Sequence, residues 1–146
     1  GTPEITYFQG GTTSNDPITG QTFNLDVDGN GSVKALGDGL MLIRKLFGAA
    51  FEGDKLTAQA ISDDASRTTD EIHTYIQTGI DDKTLDVDGD GSVTALGDGL
   101  MVIRKLFGAA FDGDKLTAQA ISNDATRTTD EIHEYIAAMT TLDTIV

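Results

Sequence analysis

The clearest hydrophobic pattern in the chain lies between residues 36 and 47. Leu36, Leu40, Ile43 and Phe47 follow one another at the i, i+4, i+7 and i+11 spacing of one helical face. Gly48 comes directly after this run, and glycine is common just past the end of a helix. The pattern therefore predicts a helix over 36–47 with an apolar side that faces a core.

Two later segments also have helical features. Residues 56–61 are short and partly apolar, and they predict a brief second helix. Thr68 and Glu71 have the spacing of a capping box, in which each side chain bonds the backbone N–H of the other residue. Ile72, Tyr75 and Ile76 then give the segment an apolar side. A third helix is therefore predicted to start at Thr68.

The whole pattern occurs twice in the chain. Residues 25–76 align without a gap on residues 85–136, with 45 identities in 52 positions at an offset of 60 residues. The second copy predicts equivalent helices over 96–107, 116–121 and 128–138. We therefore expect an all-α fold in which two tandem repeats, each a loop followed by helices, pack as one compact unit.

The duplication also sets the expected division of the chain. Repeat 1 covers 25–79, a linker covers 80–84, and repeat 2 covers 85–142. Residues 1–24 hold both prolines and many Gly, Thr and Ser residues, which is typical of an irregular lead-in, with a short extended piece at 5–8. The run 4–10 resembles a protease site used in expression vectors, so it is either vector-derived or a natural linker.

The charge of the chain restricts its partners. The 24 acidic and 10 basic side chains give a net charge of -14. A phosphate-binding surface needs the opposite sign, so nucleic acid is not an expected partner. Such an excess repels itself unless cations neutralise it. The absence of Cys excludes disulfides and thiolate metal sites, and the apolar runs are too short for a membrane span.

The loop before the second copy of the first helix carries the chemistry. Asp86, Asp88 and Asp90 occupy alternate positions 1, 3 and 5, Gly91 occupies position 6, and Val93 occupies position 8. Carboxylates on every second residue converge when the backbone curls, and the carbonyl at position 7 adds another hard oxygen. This octet is the opening of an EF-hand calcium loop, and the first repeat carries the same pattern from Asp26.

The residue that closes each loop departs from the standard form. Position 12, where Glu is usual, is Gly37 or Gly97, and an Asp follows at position 13. Asp38 and Asp98 either close the sites across a one-residue insertion or only favour the first helical turn. The predicted ligands are Asp26, Asp28, Asn30, the Ser32 carbonyl and Asp38 for one Ca²⁺, and Asp86, Asp88, Asp90, the Ser92 carbonyl and Asp98 for another.

Residues 85–93, the late Asp and the apolar helix 100–106 together resemble a dockerin-type calcium repeat. Dockerins are extracellular bacterial modules with paired loop-helix units that each hold one calcium ion and dock to cohesin domains. The chain is also similar to calcium repeats in large secreted or surface proteins of aquatic bacteria. The resemblance implies two calcium ions per chain, an extracellular or cell-surface location, and a cohesin-like protein or neighbouring domains as partners.

Three departures separate the chain from dockerins. The closing Asp lies one position late. The repeat spacing of 60 residues is longer, and Ala35-Leu36 and Ala95-Leu96 stand where dockerins carry small hydroxyl residues that select the partner. The expected function is therefore a calcium-binding structural or spacer module of a larger secreted or cell-surface bacterial protein. A dockerin-like adaptor for a cohesin-like protein is the alternative.

The remaining candidate residues favour structural roles. His73 and His133 belong to no zinc-type pattern and are expected to be surface or half-buried helix residues. Arg67 is expected to hold the structure, with loop acids as its partners. Asp63-Asp64, with Asp54, form either an auxiliary ion site or, as we favour, solvated loop ends. No nucleophile elbow or phosphate loop is present, so the chain is not expected to be an enzyme.

Overall fold

The structure, a computed structural model, describes residues 23–141. The predicted extended piece at 5–8, the vector-like run and the rest of the lead-in up to residue 22 lie outside the described residues. Four α-helices and no strand occur in the described part, which confirms the all-α prediction. The helices are α1 (Leu40–Phe47), α2 (Thr69–Asp81), α3 (Leu100–Phe107) and α4 (Thr129–Thr140).

Each repeat has the same order of elements. The acidic loop is followed by a single π-helical turn, Ala35–Gly39 in repeat 1 and Ala95–Gly99 in repeat 2, which runs directly into the first α-helix. Gly48 and Gly108 then adopt positive φ values of 86° and 87° and end that helix, as the sequence predicts. Short 3₁₀ turns over Gly48–Phe51 and Gly53–Lys55 lead towards the last helix of the repeat.

The last helix of each repeat begins with the predicted capping box. The Thr68 hydroxyl accepts the N–H of Glu71 at 3.2 Å, and the Glu71 carboxylate accepts the N–H of Thr68 at 2.8 Å. Thr128 and Glu131 repeat both bonds. Helix α2 continues to Asp81, so its last turn extends into the segment 80–84 that the sequence analysis treats as a linker.

The predicted helix over 56–61 is wrong. Turns occupy this segment, because Gln59 adopts a left-handed φ of 61° that interrupts any helix there. The Arg44 guanidinium donates from Nη1 to the carbonyls of Leu56 and Ala58 at 3.0 and 2.8 Å. A side chain thus satisfies carbonyls that helix bonds would otherwise use. Gln119 and Arg104 repeat this arrangement in the second copy, so helix 116–121 is wrong for the same reason.

The two repeats pack through their first helices, and the contacts between them are reciprocal. Gly39 leaves room for Ile103 and Leu106 of α3, which would lie 3.0 and 3.2 Å from a Cβ at that position. Gly99 receives Ile43 and Leu46 of α1 in the same way. The first residues of each helix therefore meet the later residues of the other, and the two acidic loops belong to one packed unit.

The core differs from the predicted apolar face of the first helix. Met41 and Leu42 are buried, whereas Leu36 and Phe47 are 63% and 49% exposed. The π-turn explains the exposure of Leu36. Its wider turn rotates the residues before the regular helix about the helix axis, so Leu36 no longer lies on the face that Leu40 continues. The buried hydrophobic residues of both repeats, with Leu25, Leu56, Ile72, Ile76, Leu85, Leu116, Ile132 and Ile136 among them, form one core.

Backbone hydrogen bonds also link the start of each acidic loop to the last helix of the other repeat. The N–H of Leu85 donates to the carbonyl of Gly79 at 3.0 Å, which ties the start of loop 2 to the end of α2. The N–H of Leu25 donates to the carbonyl of Met139 at 2.9 Å, which ties the start of loop 1 to the end of α4. Each acidic loop is therefore anchored on the last helix of the other repeat.

Candidate metal centres

Three buried carboxylates converge in loop 1. Asp26, Asp28 and Asp38 each present an oxygen within 4.8 Å of the others. Their side chains are only 7%, 2% and 3% exposed, although they carry like charges when ionised. Buried carboxylates need a compensating partner, because desolvation and mutual repulsion both oppose their charged form. The cluster is therefore of the kind that holds a cation.

Loop 2 brings together four carboxylates in the equivalent place. Asp86, Asp88, Asp90 and Asp98 present oxygens within 4.8 Å of one another, and all except the partly exposed Asp90 are buried. Loop 1 has Asn30 in place of Asp90, and its amide oxygen accepts the N–H of Ser32 at 3.0 Å. Asp90 makes the same bond to Ser92 at 3.0 Å, so residue 30 and residue 90 hold equivalent positions in the two loops.

The tight curl of the loop follows from backbone bonds to its first carboxylate. Asp26 accepts the N–H of Asn30 on Oδ1 at 3.1 Å and the N–H of Gly31 on Oδ2 at 2.9 Å. The loop can turn this sharply because Gly31 has a φ of 90°, a value that residues with side chains rarely adopt. Loop 2 repeats both bonds at 3.1 and 2.8 Å around Asp86.

The late acidic residue reaches the cluster through the π-turn. The N–H of Gly39 donates to the carbonyl of Lys34 at 3.0 Å, an i to i+5 bond that accommodates one more residue than an α-turn. Asp38 then lies over the loop, where Oδ1 accepts the N–H of Val27 at 2.8 Å and Oδ2 accepts that of Lys34 at 2.9 Å. Asp98 repeats this geometry, so both Asp residues join their carboxylate clusters.

One carboxylate oxygen of loop 1 is left without a partner. Asp28 accepts the N–H of Ser62 on Oδ2 at 2.9 Å, whereas its Oδ1 is buried and has no hydrogen bond. A buried acceptor of this kind is costly unless something positive approaches it. In loop 2 the matching Oδ1 of Asp88 accepts only a long 3.3 Å bond from the N–H of Asp90. Both oxygens belong to the carboxylates that converge on the candidate metal positions.

The protonation of these carboxylates reflects their crowding. Burial, with the charges of the neighbouring Asp residues, raises the pKa of Asp38 and of Asp98 to about 6. Burial is also the main cause that raises the pKa of Asp28 and Asp88. The backbone N–H of Ser92 has the opposite effect and lowers the pKa of Asp90. Without a cation, the clusters therefore favour partial protonation near their closing residues.

A segment more than thirty residues away supports loop 1 from outside. The N–H groups of Ser66 and Arg67 donate to the carbonyl of Asp28 at 2.9 and 3.1 Å. The Ser66 hydroxyl donates to the carbonyl of Gly29 at 2.7 Å, and a Cβ at Gly29 would collide with that hydroxyl. Thr126 replaces Ser66 in repeat 2 and makes the same bond at 2.8 Å. The second half of each repeat thus holds its acidic loop in shape.

Arg67 completes this support without pairing with a loop acid. Its Nη1 donates to the carbonyls of Asp26 and Val27 at 2.9 and 3.1 Å, and the guanidinium lies 3.8 Å from the ring centroid of Tyr75. Arg127 does the same in loop 2. The structural role predicted for these arginines is confirmed, but their partners are backbone carbonyls. The carboxylates therefore stay available to a cation.

The other sequence candidates lie apart from the clusters. The Nδ1 atom of His73 is 3.1 Å from Lys45 Nζ, and Nε2 is 3.0 Å from the Gly53 carbonyl, so both ring nitrogens are occupied. Asp63 and Asp64 are exposed, and Asp64 accepts a bond from the Ser62 hydroxyl at 2.7 Å. Within 23–141, acidic and histidine side chains converge only in the two loop clusters. The Ser32 and Ser92 carbonyl ligands stay predictions.

The donor set defines what these centres can bind. Each offers oxygen atoms only, which suits hard cations, and neither contains the sulfur or imidazole donors that zinc sites commonly use. Over the described range no helix combines the length and apolar character that crossing a bilayer requires. Comparisons with protein-family models, with curated proteins and with solved structures give no match to this chain.

Proposed function

We propose that the chain is a calcium-binding, non-catalytic structural module of a larger secreted or cell-surface bacterial protein, and that its folding depends on calcium. The observation that carries this proposal is the buried convergence of carboxylates in both loops, with Asp28 Oδ1 left unpartnered in one of them. A cation at each cluster offsets the desolvation and repulsion that the fold otherwise imposes on these groups.

Calcium is the ion that this donor set fits best. Ca²⁺ accepts six to eight oxygen ligands in flexible geometry, and each loop offers clustered carboxylates to which the predicted Ser32 or Ser92 carbonyl would add a further oxygen. Mg²⁺ requires a smaller, near-ideal octahedron, which a loop closed by an Asp from an irregular π-turn is poorly suited to supply. The alternate spacing of Asp26 and Asp28 supports the same choice.

The same carboxylates argue against catalysis. Asp26 and Asp38 each accept two backbone N–H groups, and both side chains are buried. A general acid or base has to reach a substrate, and glycosidase carboxylates face each other across an open cleft. The loop acids instead turn inward on one point. We therefore assign them to metal binding alone.

Calcium dependence links the proposed function to the proposed location. A ligand that binds only the folded state adds about 2.7 kcal/mol per site when its free concentration is 100 times the dissociation constant. Extracellular calcium modules bind with constants of roughly 10⁻⁴ to 10⁻³ M. Calcium outside a cell would then occupy the sites, whereas the much lower cytosolic concentration would leave the carboxylates unpaired.

Isothermal titration with Ca²⁺ tests the proposal directly. We expect two ions per chain, little heat with Mg²⁺, and loss of binding when Asp28→Asn and Asp88→Asn are combined. Asp54→Asn with Asp114→Asn is the matched control, since it removes the same charge from exposed positions outside the loops. Absence of calcium uptake by the unmodified chain, or equal losses in both double variants, would refute the proposal.

Exposed apolar side chains favour the dockerin-like adaptor as a second candidate function. Leu36 and Leu96 are 63% and 64% exposed, and Phe47 and Phe107 are 49% and 48% exposed. Large apolar groups at the surface are typical of protein docking sites. Binding to a cohesin-like protein that Phe47→Ser with Phe107→Ser abolishes, while calcium uptake persists, would support this candidate. Equal binding of the cohesin-like protein by the unmodified chain and by this double variant would count against it.

A further inference from the structure

The duplication provides an internal comparison of the two centres. Residues 25–38 and 85–98 differ at two positions only, where Asn30 corresponds to Asp90 and Lys34 corresponds to Thr94. The carboxylates, the π-turns and the backbone bonds around them are otherwise repeated. Any difference in metal affinity between the loops therefore arises mainly from these two pairs of residues.

The first pair changes the charge around the ion. Loop 1 surrounds its centre with three carboxylates, whereas loop 2 supplies a fourth from Asp90. The affinity of such loops rises with the number of charged ligands. The Asn30 side chain keeps its bond to Ser32 but brings no charge, so loop 1 attracts a divalent cation less strongly.

The second pair acts on the closing residue. In both loops the backbone N–H of this residue donates to Oδ2 of the closing Asp, so the difference lies in the side chain. Lys34 adds a positive charge to the bend that holds Asp38, and this charge opposes an incoming cation. Thr94 is neutral, and its hydroxyl accepts the N–H of Gly97 at 3.1 Å. That bond caps the π-turn from which Asp98 reaches the centre. Lysine has no side-chain acceptor, so loop 1 lacks this support.

One observation points the other way and is the weaker effect. Asp28 Oδ1 has no hydrogen bond in loop 1, whereas Asp88 Oδ1 already accepts one in loop 2 and gains less from a cation. That bond is 3.3 Å long, near the limit of a useful hydrogen bond. A full additional carboxylate together with the loss of a positive side chain outweighs it.

Resting on the proposed calcium function, we infer that the two centres fill in sequence, loop 2 before loop 1, with affinities that differ roughly fivefold. At intermediate calcium concentrations loop 2 is then the more fully occupied centre. Loop 1 is the centre that empties first as the calcium concentration falls. Asp90 and Thr94 set the tighter affinity of loop 2, and Asn30 and Lys34 set the weaker affinity of loop 1.

A calcium titration of the full chain followed by amide NMR separates the centres. The N–H groups of Gly31 and Gly91 bond the first carboxylate of their own loops, so each reports its own centre. We expect Gly91 to reach half-saturation at a calcium concentration roughly fivefold below that of Gly31. Asn30→Asp with Lys34→Thr should make the two curves coincide. Adding Asp90→Asn with Thr94→Lys should reverse their order.

The outcomes distinguish this inference from the proposed function. If neither glycine responds to calcium, calcium binding itself is wrong. If both respond but Gly31 saturates with or before Gly91, calcium binding stands and the sequence of filling is overturned. If the exchanged residues leave the order unchanged, the difference arises outside these four positions, which also overturns the inference.

Discussion

The N–H of Gly39 bonds the carbonyl of Lys34 five residues earlier, and this one bond decides whether loop 1 can close. An α-turn at this point would carry Gly37, the residue at the usual closing position, towards the centre. The π-turn adds one residue and brings the Asp38 carboxylate there instead. A carboxylate with a shorter arm than Glu thus reaches the cluster because the backbone widens before the helix.

The closing carboxylate is tested by Asp38→Asn. The amide has similar size but no charge. Its NH₂ group would also face one of the backbone N–H groups from which the carboxylate accepts a hydrogen bond. We expect calcium affinity at loop 1 to fall by at least about tenfold, or ~1.4 kcal/mol, with loop 2 unchanged. Calorimetry of Asp38→Asn beside Asp98→Asn measures this. Loss at both loops from one substitution would show that the closing role is misassigned.

Removal of calcium is expected to destabilise the whole unit. When free calcium is about 100 times the dissociation constant of each centre, chelation should lower the free energy of unfolding by about 5 kcal/mol. The reason is that the six buried loop carboxylates lose their counter-charge at once. Thermal unfolding followed by circular dichroism, with excess calcium and then with chelator, measures the change. An unchanged melting temperature would contradict calcium-dependent folding.

The pH dependence should have opposite signs with and without calcium. In the metal-free protein burial raises the pKa of Asp38 and Asp98 from 3.8 to about 6, so between these values the folded state binds more protons than the unfolded chain. Stability in chelator should therefore be greatest below about pH 4 and decline as pH rises through about 6, apart from other titrating groups.

With calcium present, protons compete with the ion for the same oxygens. Calcium affinity, and the stability that it adds, should therefore fall as pH decreases below about 6. Urea unfolding midpoints across this range, measured in parallel with calcium and with chelator, test both signs. Two curves that run parallel would mean that these carboxylates do not hold the ion.

Arg67 is expected to influence calcium binding without touching the ion. Arg67→Met keeps the apolar stem but removes the donors to the carbonyls of Asp26 and Val27. We expect a loss of about 2 kcal/mol in unfolding free energy together with weaker calcium binding at loop 1. Arg44→Met is the control, since Arg44 supports the turn at 55–58 instead. It should lower stability but leave calcium affinity unchanged.

The contact between the repeats is tested by Gly39→Ala. Gly39 has helical dihedral angles, so alanine alone would stabilise the helix by up to about 1 kcal/mol. Its Cβ would however lie 3.0 Å from Ile103 Cγ1, and overpacking of this kind costs about 1 to 3 kcal/mol. Chemical denaturation should show net destabilisation, whereas Thr74→Ala on an exposed helix face should change little. A stabilised Gly39→Ala protein would mean that the interface is loose.

The sequence was sufficient for features that depend on near neighbours. The clustered carboxylates of loop 1 lie within thirteen residues, and the capping box of Thr68 and Glu71 lies within four. Spacing was enough to predict the capping box and to group these carboxylates, although it left the role of Asp38 open. The support from Ser62 and Arg67 was missed because it joins residues 34 to 41 positions apart. This support accounts for the length of the repeat, because the segment after the first helix folds back and bonds the acidic loop.

The helix predicted over 56–61 failed for a related reason. Local composition allowed a helix, but the Arg44 guanidinium takes the carbonyls of Leu56 and Ala58, and Gln59 adopts a left-handed conformation. A contact from a different element thus outweighs local preference in a segment too short to form a stable helix by itself. Nothing in the residues 56–61 themselves indicates that contact.

The bond between Leu25 and Met139 has a mechanical consequence. The folded unit begins at Leu25 and ends beside it at Met139. Within a longer chain it would therefore add very little to the end-to-end distance. Unfolded, residues 25–139 would extend to about 400 Å at 3.3 to 3.6 Å per residue. Calcium in the two loops would then keep the chain folded and short. Its removal under tension would let the unit unfold and lengthen the chain by most of that distance.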